Sequence, residues 1–383
     1  MKFNPYRISH YFAFGLTFFS FVCAFLYFLI SWKTKSNQVI LYGHKLIGNL
    51  EALFINQHFF HTECYYLTLN LSHYLFLKKM YKNNQFNKKI LFAIFPHHLL
   101  ILLRSRVVAV SHGIFYHKLL KKLKIKSIFI GHALDGVYPV NPKYLENLEL
   151  YDQVWMFSKY EYRLYKDNFK YKKNNLTING YPKVHQLLKT NVANIFDNKK
   201  VLLFAPTASR ENKVYEKSEL TFYNFNFIEQ FENYLENKNL ILILQPHIND
   251  KVPPKVIKLI KKSQKIFLFS ELKFNRTELL SLADVLITDY STIYVEYLPL
   301  QKPIYFLKPP DPNPNWKYTG VIENKLICRL DSLETLFNKL DKKQESSELL
   351  YSNLKNLFYE GINIDEILER SFININKLMP IVK

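Results

Sequence analysis

LLSLADVLITDYSTIYVEYLPLQKPIYFLKPPD, residues Leu279 to Asp311, is the stretch on which the reading of this chain turns. An apolar helix end, Leu279 to Ala283, leads into a short β-rich run, Val285 to Thr288. A polar turn, Asp289-Tyr290-Ser291-Thr292, follows and opens a second helix, and another strand runs from Pro303 to Leu307. Strand, hydroxyl-rich turn and helix start form the layout of an anion site. Free backbone N–H groups and the positive helix end face whatever sits over the turn. In open α/β sheets ligands bind beyond the carboxyl ends of the strands, where this turn would lie. The pattern therefore offers a phosphate or nucleotide site. A plainer reading stands beside it, in which Ser291 and Thr292 merely cap the helix.

Working outward, apolar runs alternate with helical stretches. Strands are expected at Gln38 to Tyr42, Ile90 to Phe95, Val107 to Val110, Ser127 to Gly131, Val154 to Phe157 and Leu176 to Ile178. A polar segment, Thr190 to Asn198, reads as a linker. A second set follows at Val201 to Phe204, Leu240 to Leu244, Ile266 to Phe269, Val285 to Thr288 and Ile304 to Leu307. The tail from Leu333 to Leu378 reads as helical. This alternation is that of parallel sheets. The expected fold is α/β, with two Rossmann-like domains facing a cleft and a hydrophobic anchor helix at the N-terminus. The boundaries expected are 1–34 for the anchor, 35–195 for an acceptor domain and 196–383 for a nucleotide-donor domain with a helical tail.

The chain has 383 residues, 48% of them hydrophobic, and only 9 Gly, which points to an ordered, core-rich protein. Cys23, Cys64 and Cys328 form neither a metal spacing nor a disulfide framework. The net charge of +20 calls for an anionic partner. No nucleic-acid module is present, so membrane or phosphate-bearing substrates are expected rather than nucleic acid. From Ile8 to Trp32 there is no charged residue. A membrane-spanning helix takes ~20 residues, so the run is long enough, and Tyr6, Tyr11 and Trp32 stand where interfacial aromatics do. A spanning anchor is expected. No small-residue cleavage site follows for a signal peptide, and the other reading is a helix lying in the interface or packed on the protein's own helices.

The block ADVLITDYSTIYVEYLPLQKPIYF resembles the signature of the CDP-glycerol glycerophosphotransferase family, which builds teichoic acids and related capsular polymers. FIGHALDG (Phe129 to Gly136), the long block Tyr151 to Val184, KKVLLFAPTASREN (Lys199 to Asn212) and LILILQPH (Leu240 to His247) resemble further family elements in the same order. The resemblance implies a GT-B architecture. It also implies transfer of glycerol phosphate, or a related polyol phosphate, from a CDP-activated donor to a hydroxyl of a membrane-linked glycan or polymer, with release of CMP. Work at the cytoplasmic face of the cell membrane is implied, since the donor is a nucleotide. The alternative is a GT-B glycosyltransferase using a nucleotide sugar in capsule or surface-glycan assembly.

Candidate residues follow from both lines. His132 ends a strand beside Ala133 and a glycine turn, where an imidazole of pKa ~6.5 suits a general base; the resemblance implies that role. Asp135 is a candidate to orient it. His247, presented by Pro246 at a strand end, can donate to a phosphate oxygen and is the second candidate catalytic group. Thr207 and Arg210 close another strand, and a guanidinium grips phosphate bidentately. Thr288, Asp289, Ser291 and Thr292 form the expected cradle. Glu296, one helical turn on, could accept from ribose hydroxyls. Lys183 follows Gly180-Tyr181-Pro182 and is a candidate acceptor contact. Three departures from the family pattern stand out: Gln245 replaces a basic residue, Arg210 lies one place further on, and Lys183-Val184-His185 replaces an Arg-Asn-Asp triplet. No metal and no cofactor is expected, for no Walker lysine motif, G-x-G-x-x-G or H-E-x-x-H is present.

Overall fold

The computed structural model describes residues 8–31, 36–59, 62–112, 117–131, 142–207, 218–247, 250–289, 291–308, 329–342 and 348–379. They form two compact units. The first unit comprises Met1–His132, Asn141–His185 and Gly361–Lys383; the second comprises Ala133–Val140 and Gln186–Glu360. The division thus falls ten residues earlier than the sequence pattern suggests, and the last part of the tail belongs to the first unit.

The first unit holds β1 (Gln38–Tyr42), β2 (Glu63–Thr68), β3 (Ile90–Phe92), β4 (Val107–Val110), β5 (Lys126–Phe129), β6 (Gln153–Met156) and β7 (Leu176–Ile178). Their order is β3-β2-β1-β4-β5-β6-β7, with every pairing parallel. Successive side chains of a strand point to opposite faces. Accordingly Val39 and Leu41 enter one core and Ile40 the other. The first core is closed by Leu50, Leu53 and Phe54 of helix α2 (Asn49–Ile55) and by Leu368, Phe372 and Ile375 of the terminal helix Ile367–Asn376.

A buried polar clamp fixes that terminal helix. Asn179, fully buried after β7, donates from Nδ2 to Ser371 Oγ at 2.9 Å and accepts from Asn374 Nδ2 at 2.9 Å. Gly180 beside it has φ +79°, and an added Cβ would lie 2.7 Å from Ile367 Cγ1, so the close approach requires glycine.

The apolar N-terminal run does form a helix, α1 (Ile8–Ile30), with side chains described from Gly15 onward. The expected spanning anchor is not found: among the described residues no helix is long and apolar enough to cross a membrane. Instead one face of α1 lies on the protein. Ala24 is buried in the second core, Phe21, Phe25 and Phe28 pack beside it, and Ser20 Oγ donates to Ile94 O at 2.5 Å. Leu99 and Leu103 of helix α4 (Pro96–Arg104) share that core. The opposite face is uncovered, with Phe18 62%, Phe19 64% and Ile30 77% exposed.

The second unit holds β8 (Lys200–Phe204), β9 (Leu240–Leu244), β10 (Ile266–Leu268), β11 (Val285–Thr288), β12 (Ile304–Leu307) and β13 (Arg329–Leu330), in the order β10-β9-β8-β11-β12-β13, again all parallel. Leu202, Phe204, Leu242, Leu244 and Ile287 pack against Phe227, Phe231 and Leu235 of helix Phe225–Leu235. β9 and β10 lie on one side of β8, and β11 to β13 on the other, so the order reverses between β8 and β11.

Asn179→Ala should leave the Asn374 amide without its partner in a buried site, while the Ser371 hydroxyl keeps its bond to Ile367 O at 2.7 Å. The expected cost is about 1–3 kcal/mol for an orphaned buried group, read as a lower melting temperature of the first unit. A melting curve superimposable on the wild type would show that the clamp contributes nothing.

Candidate active site

The β8/β11 reversal is where an open parallel sheet binds ligands, and most donor-side candidates lie there. Thr288 is buried at the end of β11, and its hydroxyl donates to Ala205 O at 2.7 Å, joining the ends of the two strands. Asp289 is buried too. Its Oδ1 accepts from Thr207 N and Thr207 Oγ1, both at 2.7 Å, and from Ser291 N at 3.1 Å. The carboxylate beside an expected phosphate site is thereby engaged by the protein's own donors, and it shapes the loop after β8 and the turn after β11 as one surface.

Ser291 and Thr292 are half-buried at that surface. Thr292 stands at the N-cap of the five-residue helix Ile293–Tyr297, but its side chain makes no capping bond. The capping alternative is therefore not realised by Thr292. Glu296 is buried on this helix and forms an ion pair with Arg276 Nη2 at 3.2 Å. It also faces Tyr359, whose hydroxyl donates to Val295 O at 2.7 Å. Burial first, and then the Glu296 carboxylate, hold the Tyr359 phenol well above its ordinary pKa. Glu296 is thus not on a solvated helix face.

At the end of β9, Gln245 N donates to Phe204 O at 2.9 Å, which extends the pairing of that strand with β8. His247 follows, half-buried, and its carbonyl accepts from Asp250 N at 2.8 Å. Gln245 Oε1 is buried with no hydrogen-bond partner among the described residues. His132, Asp135 and Arg210 lie outside the described residues.

What precedes His132 is well defined. Gly131 has φ +63°, and an added Cβ would lie 3.1 Å from the Tyr181 hydroxyl. Asn49, buried at the start of α2, donates from Nδ2 to Ile130 O and to Gly131 O, both at 3.2 Å, and its Oδ1 accepts from Lys183 N at 3.2 Å. Tyr181 in turn donates to Glu161 Oε1 at 3.4 Å, and the other oxygen of that buried carboxylate accepts from Phe157 N. Lys183 is itself buried, its ammonium 5.5 Å from the centroid of the Tyr181 ring. Asn49 and Glu161 were missed in the sequence. An Asn directly after Gly48, at a helix start following a strand, is the signal that marks Asn49.

Residues 68–312 match the family model described as CDP-Glycerol:Poly(glycerophosphate) glycerophosphotransferase. The chain belongs to this family. It is 30% identical over 179 residues to the teichoic acid poly(glycerol phosphate) polymerase of Bacillus spizizenii, covering 43% of each chain. It is 27% identical over 236 residues to the teichoic acid glycerol-phosphate primase of Bacillus subtilis, covering 55% of this chain and 58% of that one. The chain spans about half the length of the curated relatives it matches. Among solved structures, the wall teichoic acid polymerase TagF shares the fold, with a TM-score of 0.70 at 14% identity over 97% of this chain and 98% of that one.

Asp289→Ala should remove the acceptor for three donors at once. A loss of about 1–3 kcal/mol is expected for unsatisfied buried groups. At ~2–4 °C per kcal/mol for a unit of this size, the second unit should melt several degrees lower. An unchanged melting temperature would mean that the carboxylate does not join the two strand ends.

Proposed function

We propose that this protein transfers glycerol phosphate, or a related polyol phosphate, from a CDP-activated donor to a hydroxyl of a membrane-linked glycan or polymer acceptor. The reading is carried by one observation beyond family membership: the hydroxyls of Ser291 and Thr292 lie at the β8/β11 reversal, on a surface that Thr207 and Asp289 shape together. In the proposed step the acceptor oxygen bonds to the β-phosphorus of the donor, the bridging P–O bond breaks, and CMP leaves with that bond's electron pair. His132 takes the hydroxyl proton. Ser291, Thr292, Arg210 and His247 hold the pyrophosphate oxygens as charge shifts onto the leaving group. Glu296, with one flank on Arg276, is placed to accept from the ribose, and Asp135 orients the base. Thr207, Thr288 and Asp289 serve the donor by holding the surface rather than by contact.

Attachment to the membrane is proposed along the interface. The uncovered face of α1 presents Leu16, Phe18, Phe19, Val22, Leu26, Leu29 and Ile30. Helix α3 (Leu71–Met80) adds exposed Leu71, Leu75, Phe76 and Met80, followed in its last turn by Lys78 and Lys79. The two helices are linked through residues 94 and 95: Ser20 bonds to Ile94, and the Phe95 ring lies 6.4 Å from that of Tyr74. Two uncovered apolar helix faces, one of them with lysines in its last turn, fit an anionic bilayer surface. It would place the protein at the cytoplasmic face, where nucleotide donors are found.

Two measurements test the proposal. Incubating the protein with CDP-glycerol and membrane acceptor should yield CMP and an acceptor heavier by one glycerol phosphate, by mass. Release of a nucleoside diphosphate from a nucleotide sugar would instead establish a glycosyltransferase. His132→Ala should lower kcat by roughly 10²–10⁴-fold with the melting curve unchanged, and activity within about threefold of wild type, far short of the general-base range, would remove that role. For attachment, the variant carrying Phe18→Glu, Phe19→Glu and Ile30→Glu should partition onto phosphatidylglycerol vesicles at least ~10-fold more weakly, given ~1.5–3 kcal/mol per large apolar side chain. Partition equal to wild type would place the membrane contact elsewhere.

A further inference from the structure

The first unit has an order reversal of its own. β2 and β3 lie on one side of β1, and β4 to β7 on the other, so the switch falls between β1 and β4. By the rule that places a ligand at the β8/β11 switch of the second unit, the β1/β4 edge is also a binding position.

Register fixes what stands there. Tyr42 of β1 pairs with Val110 of β4, and Val110 pairs with Phe129 of β5. Two residues further on, His44, His112 and Gly131 therefore lie at one level across three neighbouring strands, with His132 following Gly131. His44 and His112 are both exposed, as is Lys45. Both imidazoles are oriented. Asn70 Oδ1 accepts from His73 N at 3.2 Å and from Ser72 Oγ at 2.8 Å, which turns its amide nitrogen toward His44 Nε2, 3.2 Å away. With that amide donating to Nε2, the His44 proton resides on Nδ1. His112 Nδ1 is 2.9 Å from Ser111 Oγ. The loop beneath is braced by His73, whose Nε2 accepts from Leu46 N at 2.8 Å, and by Tyr66, whose hydroxyl donates to Gly43 O at 2.9 Å.

The edge carries one sign of charge. The described residues that follow β1 to β4 here, 43–48, 69–70, 93–98 and 111–112, include no Asp or Glu. The nearest carboxylate in sequence is Glu51, in the first turn of α2. Both histidines have lowered pKa values, from burial first; for His44, Lys45 and His112 add to the effect. An anion seated beside His44 would offset that repulsion.

We propose that His44 and His112, with Lys45, bind a phosphate ester group of the acceptor. The acceptor then carries its free hydroxyl toward the Gly131 side of the same edge. The acceptor role rests on the function proposed above; the phosphate site does not.

The test uses the full chain with isotope-labelled histidine. Titration with sn-glycerol 3-phosphate should shift the ring signals of His44 and His112, assigned with His44→Gln and His112→Gln, whereas glycerol should not. Each variant should weaken glycerol 3-phosphate binding by roughly ten- to hundredfold, the range for a hydrogen bond to a charged group, with its melting curve unchanged. Equal shifts from glycerol, or phosphate binding unaffected by both variants, would overturn the site. In the transfer assay the variants should raise the KM for a phosphate-bearing acceptor about as much, while the Kd for CDP-glycerol stays the same; a matching loss of donor affinity would overturn the assignment to the acceptor. Partition onto phosphatidylglycerol vesicles should be unchanged, and a parallel loss there would make the ligand a lipid headgroup and refute the proposal. Glycerol 3-phosphate bound at His44 and His112 in a protein that transfers nothing from CDP-glycerol would leave the site standing and remove the transferase reading.

Discussion

One carboxylate oxygen, Asp289 Oδ1, organises the donor side of this molecule. Thr207, 82 residues before it in sequence, and Ser291, two residues after it, reach it from the ends of two strands that are neighbours in space. A buried carboxylate is costly unless its lone pairs are met, and here backbone and hydroxyl donors meet it. The arrangement commits the loop after β8 and the turn after β11 to one geometry. Because the sheet order reverses at this pair of strands, the surface so formed lies at the position where open α/β sheets take their ligands. The Thr288 hydroxyl, bonded to Ala205 O, ties the same two strands one residue earlier.

The first unit solves a similar problem with an amide. Asn49 satisfies two strand-end carbonyls with its nitrogen and one helix-start N–H with its oxygen. A side chain with both donors and an acceptor can join a carbonyl-rich strand end to an N–H-rich helix start. Tyr181 and Glu161 back the same turn from the other side, so the residue before His132 is held in a left-handed conformation that glycine alone adopts freely. On each unit, then, polar groups buried in the protein precede those offered to a ligand.

Much of this architecture was legible in the sequence, because parallel strands buried on both faces read as unbroken apolar runs. β1, β4, β7, β9, β11 and β12 lie at the expected residues. β2 was missed: ECYYLT begins with a charge and a polar flank, and its apolar character shows only against its neighbours. β13, two residues long, carries no periodic signal. The return of the tail to the first unit depends on Asn179, Ser371 and Asn374, polar residues that meet across 195 positions and leave no pattern in either segment. Apolar composition all round α1 favoured insertion, yet two small residues of that run, Ser20 and Ala24, are buried on the face that lies on the protein. At the site, residue types were readable and partners were not. Asp289 reads as a charge beside a phosphate that could cap its own turn through backbone N–H groups, which Ser291 N realises; its bonds to Thr207, 82 residues away, and the Arg276 ion pair of Glu296 leave no local signal.

The central claim is that the turn after β11 binds donor phosphate rather than serving only to start a helix. Calorimetric titration of CDP-glycerol into Ser291→Ala, set beside the variant's melting curve, tests it most directly. Loss of a hydrogen bond to a charged group should weaken binding by roughly ten- to hundredfold at an unchanged melting temperature. A variant that melts early, by the ~1 kcal/mol of a lost helix cap, yet binds CDP-glycerol as tightly as wild type would contradict the account.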